Sequence, residues 1–170
     1  MIIRDEQPED LPSIRAIVTA AFETAPYSNQ TEAAIVDDLR KSGALTISLV
    51  AVDGRERVGH IAFSPVSISG VDMGWFGLGP VAVRPDRQGF GIGQTLVRAG
   101  LDRLTARGAK GAVLLGAPKY YGRFGFKVHP GLWLADVPPT YFMALAMNGE
   151  APSGQVEFHG AFAQDQPPRP

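Results

Sequence analysis

The chain is 170 residues long, enough for one domain with a substantial core, and its 45% hydrophobic and 19% charged content is that of an ordinary globular protein. A formal net charge of -1 excludes a general polyanion binder of the nucleic-acid kind. With no cysteine, disulfides, thiolate nucleophiles and cysteine-held metals are excluded, and neither a membrane-length apolar run nor a signal-peptide pattern is found, so a cytoplasmic protein without membrane partners is expected.

Ile2 to Arg4 reads as a first strand. A helix follows, with Pro8 in its first turn and Leu11, Ile14, Ile17, Val18, Ala21 and Phe22 on one face. Pro26 to Asn29 breaks the pattern, and Asn29 followed by Glu32 predicts a capping box opening a second helix that ends near Gly43. Three strands are then predicted, Leu45 to Val52, Val58 to Ile68 and Trp75 to Val83, with a hairpin turn at Asp53-Gly54. A glycine turn at Gln88 to Gly93 leads into a helix with apolar residues at Ile92, Leu96, Val97, Leu101 and Leu104.

Gly111 to Leu115 suits a buried strand, and a brief helix from Lys119 to Phe124 follows. Strands are expected near Phe126 to Val128, Leu132 to Leu134, Tyr141 to Met147 and Gln155 to Phe158, and the polar, proline-rich Gln164 to Pro170 has the composition of a disordered tail. The order is that of a single α/β domain with a mixed sheet, its core over about residues 1–148 and an extension over 149–170.

Chemistry concentrates where the strand Pro80 to Arg84, the turn Gln88-Gly-Phe-Gly-Ile-Gly93 and the following helix meet. The first N–H groups of a helix have no partner within it and lie at the positive end of its dipole, so they bind anions. Glycines at 89, 91 and 93 let a bulky ligand approach the backbone, which makes the turn a phosphate cradle; the plainer reading is a structural turn. The turn is not a dinucleotide fingerprint, since Leu96 stands where the third glycine belongs, and it lacks the G-K-S/T ending of a Walker loop.

This loop, together with Pro118-Lys-Tyr-Tyr-Gly-Arg-Phe-Gly-Phe126, resembles the GCN5-related N-acetyltransferase (GNAT) family. Gln88 to Gly93 matches its acyl-CoA loop, Q/R-x-x-G-x-G/A, and Tyr121 to Phe126 matches its Y-x-x-x-G-F segment, in the family's order. The resemblance is strongest over residues 76–128 and extends by element order over about the first 148. It points to a bacterial branch of predicted N-acetyltransferases and implies the GNAT-type acyl-CoA N-acyltransferase fold, a twisted mixed sheet flanked by helices.

The resemblance implies acetyl-CoA as cosubstrate and no metal. The pyrophosphate would lie on the backbone of Gln88, Gly89, Phe90, Gly91, Ile92, Gly93 and Gln94, with Arg84 and Arg87 near enough in sequence to add charge-assisted contacts. The pantetheine arm would pair like an extra strand with Val81 to Val83, which requires that strand to part from its neighbour; Gly77-Leu-Gly79-Pro80 suits a bulge there. A backbone N–H near Val83 would polarise the thioester carbonyl.

Tyr121 matches the family's general acid, which protonates the departing thiolate; its neighbour Tyr120 is the alternative. Many relatives carry a basic glutamate on the central strand, where this chain has Trp75 to Gly79 and no carboxylate. His60 and Glu32 are the remaining candidates for the base, against a solvated helix face for Glu32 and a core histidine for His60. The implied activity is direct acetyl transfer to a primary amine of a small molecule or peptide, with a homodimer allowed. The alternatives are a non-catalytic acyl-CoA binding module and a nucleotide binder.

Overall fold

The computed structural model describes residues 1–165. Eight strands form one sheet: β1 (Ile2–Asp5), β2 (Ile47–Asp53), β3 (Glu56–Ile68), β4 (Val71–Val83), β5 (Gly111–Leu115), β6 (Leu132–Leu134), β7 (Phe142–Ala146) and β8 (Gly154–Glu157). The main path runs β1-β2-β3-β4-β5-β7, while β8 pairs with β3 and β6. All pairings are antiparallel except β4 with β5 and β6 with β8. The parallel β4–β5 pair is possible because a helix crosses between them, as a parallel connection requires.

The helices are α1 (Leu11–Phe22), α2 (Glu32–Lys41), α3 (Ile92–Ala106) and the single turn α4 (Pro118–Tyr121). The apolar stripe of α3 lies on one sheet face, where Ile92, Leu96, Val97 and Leu104 join Leu49, Ile61, Phe63, Leu78 and Leu114 in the largest core cluster. Ile14, Ile17 and Val18 of α1 and Val36 of α2 pack on Val50 and Ala82. A further cluster holds Val66, Ile68, Trp75, Val113, Leu132, Phe142 and Val156, with Phe158 packed against it.

Three expectations need correction. The residue capping α2 is Thr31, not Asn29, and no side chain makes the cap. Gln30 has taken a left-handed conformation (φ 63°), and its side-chain amide donates to the Phe22 carbonyl at 2.8 Å, which holds the loop out of helical register until Glu32. Phe126 to Val128 forms no strand but a single bridge, Lys127 to Ala144, because the chain turns at His129 to accept the N–H of Leu132.

The third concerns the tail. Gln164 and Asp165 belong to a 3-10 helix, Gly160–Asp165, that packs on α2 through Ala161 and Phe162 beside Ile35 and Leu39; residues 166–170 lie outside the described residues.

A buried polar knot fixes the start of the chain. The Asp10 carboxylate, with no exposed surface, accepts from Arg4 at 2.6 and 3.1 Å, from Arg57 at 2.8 Å and from the Gln7 N–H at 2.7 Å. These contacts hold its pKa well below the usual carboxylate range, the Arg4 hydrogen bonds being the largest cause.

Candidate active site

The site begins as a split in the sheet. β4 and β5 pair only over Trp75–Gly111, Phe76–Ala112 and Gly77–Val113, after which β4 runs on alone on that side to Val83. On its other side, β4 stays paired with β3 up to Gly59–Val83, with a register shift where Leu78 pairs with Phe63 and Val81 with Ile61. Gly79 and Pro80 lie in that interval, so the expected bulge is there.

The Arg84 N–H donates to the Val58 carbonyl on β3 at 2.8 Å. Successive residues of a strand turn their polar groups to opposite edges, so Val83 and Val81 present theirs to the split. The Val83 carbonyl agrees: it accepts from the Gln88 side-chain amide at 3.0 Å, not from β3.

The glycine turn follows directly. Gly89 (φ 86°) and Gly91 (φ 83°) are left-handed, and Gly91 is the N-cap of α3. The first helical bond runs from the Thr95 N–H to the Gly91 carbonyl, so the N–H groups of Ile92, Gly93 and Gln94 precede the ladder. Phe90 is exposed at the loop tip, whereas the Ile92 side chain is buried against Gly59, leaving only its backbone for a ligand.

Arg84 and Arg87 flank this loop in ion pairs. Arg84 grips Asp86 through two 2.7 Å bonds, and Arg87 binds Asp53 at 2.6 Å and Glu56 at 2.9 Å. These pairs raise both guanidinium pKa values and lower those of Asp53 and Asp86.

The opposite wall is aromatic. The Tyr121 ring lies over Gly116, where a β-carbon would stand 2.4 Å from it, and meets Tyr120 edge-on at 4.9 Å between centroids. Burial pushes the Tyr121 phenol up to about 12, and the neighbouring Tyr120 and Tyr27 phenols act in the same direction. Tyr27 is exposed in the α1–α2 loop.

The motif match to Tyr121 left Tyr120 in second place. Yet the Tyr120 hydroxyl stands 3.2 Å from the ideal β-carbon position of Gly93, so it reaches across to the start of α3. The paired tyrosines were visible in the sequence; which wall each would face was not.

The two candidate bases are both buried. His60 is fully buried on β3 between Val50 and Ala82, with Nε2 at 2.8 Å from the Ser48 hydroxyl. Ser48 also donates to Glu6, which Arg40 holds at 2.8 and 2.9 Å. Burial lowers the His60 pKa to about 4, which makes it a weak base at neutral pH. Glu32 opens α2 almost fully buried, and the Ser28 hydroxyl contacts both of its carboxylate oxygens.

The sheet split thus opens beside the N-terminus of α3, with the partly buried Tyr121 phenol on its far wall. The family model for the acetyltransferase (GNAT) domain matches residues 2–129. The chain is 43% identical over 171 residues to YhbS of Escherichia coli K12, an uncharacterized N-acetyltransferase, covering 95% of this chain and 98% of that protein. It therefore belongs to the GNAT acetyltransferase family.

Two solved structures are close to it. A GNAT family acetyltransferase from Brucella melitensis, in complex with acetyl-CoA, superposes with a TM-score of 0.86 at 50% identity, covering 95% of this chain and 97% of its own. Escherichia coli YhbS, in complex with CoA, gives a TM-score of 0.88 at 37% identity, covering 95% and 91%.

Proposed function

We propose that the protein transfers an acetyl group from acetyl-CoA directly to a primary amine in the cytoplasm. The observation that carries this is the split between β4 and β5, open along the gap-facing N–H groups of Val81 and Val83 and ending at the α3 N-terminus. The pantetheine amides complete the sheet along Val81 to Val83, and the pyrophosphate rests on the backbone from Gln88 to Gln94. Gly93 gives it room where a side chain would crowd Tyr120. With their charges already met by carboxylates, Arg84 and Arg87 act as a frame for the loop.

The amine attacks the thioester carbon, whose oxygen gains charge and is held by a backbone N–H near Val83. As the C–S bond breaks, the sulfur gains charge and Tyr121 donates a hydrogen bond to it. Its raised pKa keeps the phenol protonated, but full transfer to an ordinary thiolate is uphill by about 3–4 pK units. Transfer to sulfur is therefore coupled to the proton shed by the acceptor nitrogen, which restores the phenol. The net movement is one proton from nitrogen to sulfur, and no strong base is required. His60 and Glu32 then serve the buried frame.

The absence of a carboxylate from Trp75 to Gly79 on β4 and the weakness of His60 favour a second reading, a non-catalytic acyl-CoA binding module. Calorimetric titration with acetyl-CoA, against NAD and ATP, tests the shared binding site. Thiol release on adding amines, clean in a chain without cysteine, separates the enzyme from the binding module. Saturable heat from a nucleotide and none from acetyl-CoA rejects both.

A further inference from the structure

The apex of the split is where Gly77 and Val113 form the last β4–β5 pair. Phosphates at the start of α3 lie at the far end, next to Val83, so an arm running along β4 carries its acyl end back toward the apex. This inference rests on the acetyltransferase reading above. The acceptor then meets whatever lines the sheet face turned away from α3.

That lining comes from the C-terminal segment. β8 takes the edge of β3 at Ser67–Glu157 and Ile68–Val156, and the next residue, Phe158, stands over Gly77. A β-carbon on Gly77 would lie 2.6 Å from the Phe158 ring and 3.2 Å from Val66. Phe158 thus fills the space into which a β4 side chain would project. Phe162 holds it from behind, with ring centroids 5.3 Å apart, and is itself packed beside Ile35 and Leu39 of α2.

The strands flanking the split carry no charge. From Trp75 to Val83 on β4, along β5 and along β7, there is no ionisable side chain. The α1–α2 loop adds the exposed ring of Tyr27. A polycation would shed water against these strands without finding an ion partner on them, whereas an apolar body gains by leaving water.

The geometry points to an acceptor that is a primary amine on a compact apolar body, aromatic or branched alkyl, with Phe158 as the residue that sets its size. The test compares 2-phenylethylamine, tryptamine and spermidine at saturating acetyl-CoA by thiol release, in the wild type, Phe158→Ala and Phe158→Leu. The wild type should use 2-phenylethylamine at least about tenfold better than spermidine in kcat/KM.

Phe158→Ala should raise the tryptamine to 2-phenylethylamine ratio about fivefold or more, with Phe158→Leu between and acetyl-CoA affinity within about twofold of wild type. Should Phe158→Ala not fold, the Leu variant decides. Preference for spermidine, an unmoved ratio, or no thiol release with any amine despite bound acetyl-CoA overturns the assignment. Failure of the wild type to bind acetyl-CoA overturns the acetyltransferase reading beneath it.

Discussion

The hydroxyl of Tyr120 stands 3.2 Å from the point a β-carbon on Gly93 would occupy, so the start of α3 and the aromatic wall meet across the mouth of the split. Gly93 is thus a glycine for reasons of space, since its backbone is ordinary helix. Gly93→Ala should leave Tm unchanged or raise it, because alanine favours a helix by about 1 kcal/mol over glycine. The same change should weaken acetyl-CoA binding about tenfold or more by placing a methyl in the cradle. Melting and calorimetry on one sample check both, and unchanged affinity would return the turn to a purely structural role.

Tyr121→Phe keeps the ring over Gly116 and removes only the hydroxyl. The expected result is a loss of about 10²–10⁴ in kcat with acetyl-CoA affinity preserved. Turnover at the wild-type rate would remove Tyr121 from the reaction and leave Tyr120 as the phenol to examine.

His60 should shape stability more than rate. Its folded pKa of about 4 lies below the ordinary value of 6.5, so as pH falls from about 6.5 to 4 the unfolded chain takes up a proton that the folded one refuses. Stability should therefore fall over that window, by up to about 1.4 kcal/mol per pH unit from this group. Glu6 acts in the same sense, because its lowered folded pKa also costs stability as acid is added; its burial opposes this, and the bonds from Arg40 and Ser48 outweigh it. Melting curves from pH 4 to 8 on the wild type and His60→Leu check this: the variant should show the shallower slope.

Ser64 is fully buried, and its hydroxyl oxygen has no partner among the described residues. Removing a buried hydroxyl that makes no hydrogen bond should cost nothing and gain about 1 kcal/mol. Ser64→Ala is expected to raise Tm by a few degrees in a chain of this size. A lower Tm would show that the hydroxyl is in fact satisfied.

Local signals carried far in this chain. The Asp53-Gly54 hairpin, the stripe of α3, the glycine loop and the bulge at Gly79-Pro80 are each written within a dozen residues and were legible as such. What was not legible depends on distant segments. Thr31 caps α2 because Gln30 reaches back to Phe22, and Gly160–Asp165 forms a 3-10 helix because Phe162 finds α2. Phe158 and Gly77 are 81 positions apart, and nothing near either shows that one fills the space left by the other. His60 was picked as a base candidate from its place in the sequence, which says nothing of the burial that lowers its pKa.

The split between β4 and β5 leaves the backbone amides of Val81 and Val83 facing a gap in the middle of an otherwise continuous sheet. A ligand that pairs with them therefore acts as a removable strand, and its binding energy adds to folding energy. At a free concentration about 100 times its Kd, such a ligand adds about 2.7 kcal/mol. Hydrogen exchange at these two amides should slow when the gap is filled. The population that unfolds and meets proteases would then fall as the free ligand concentration rises.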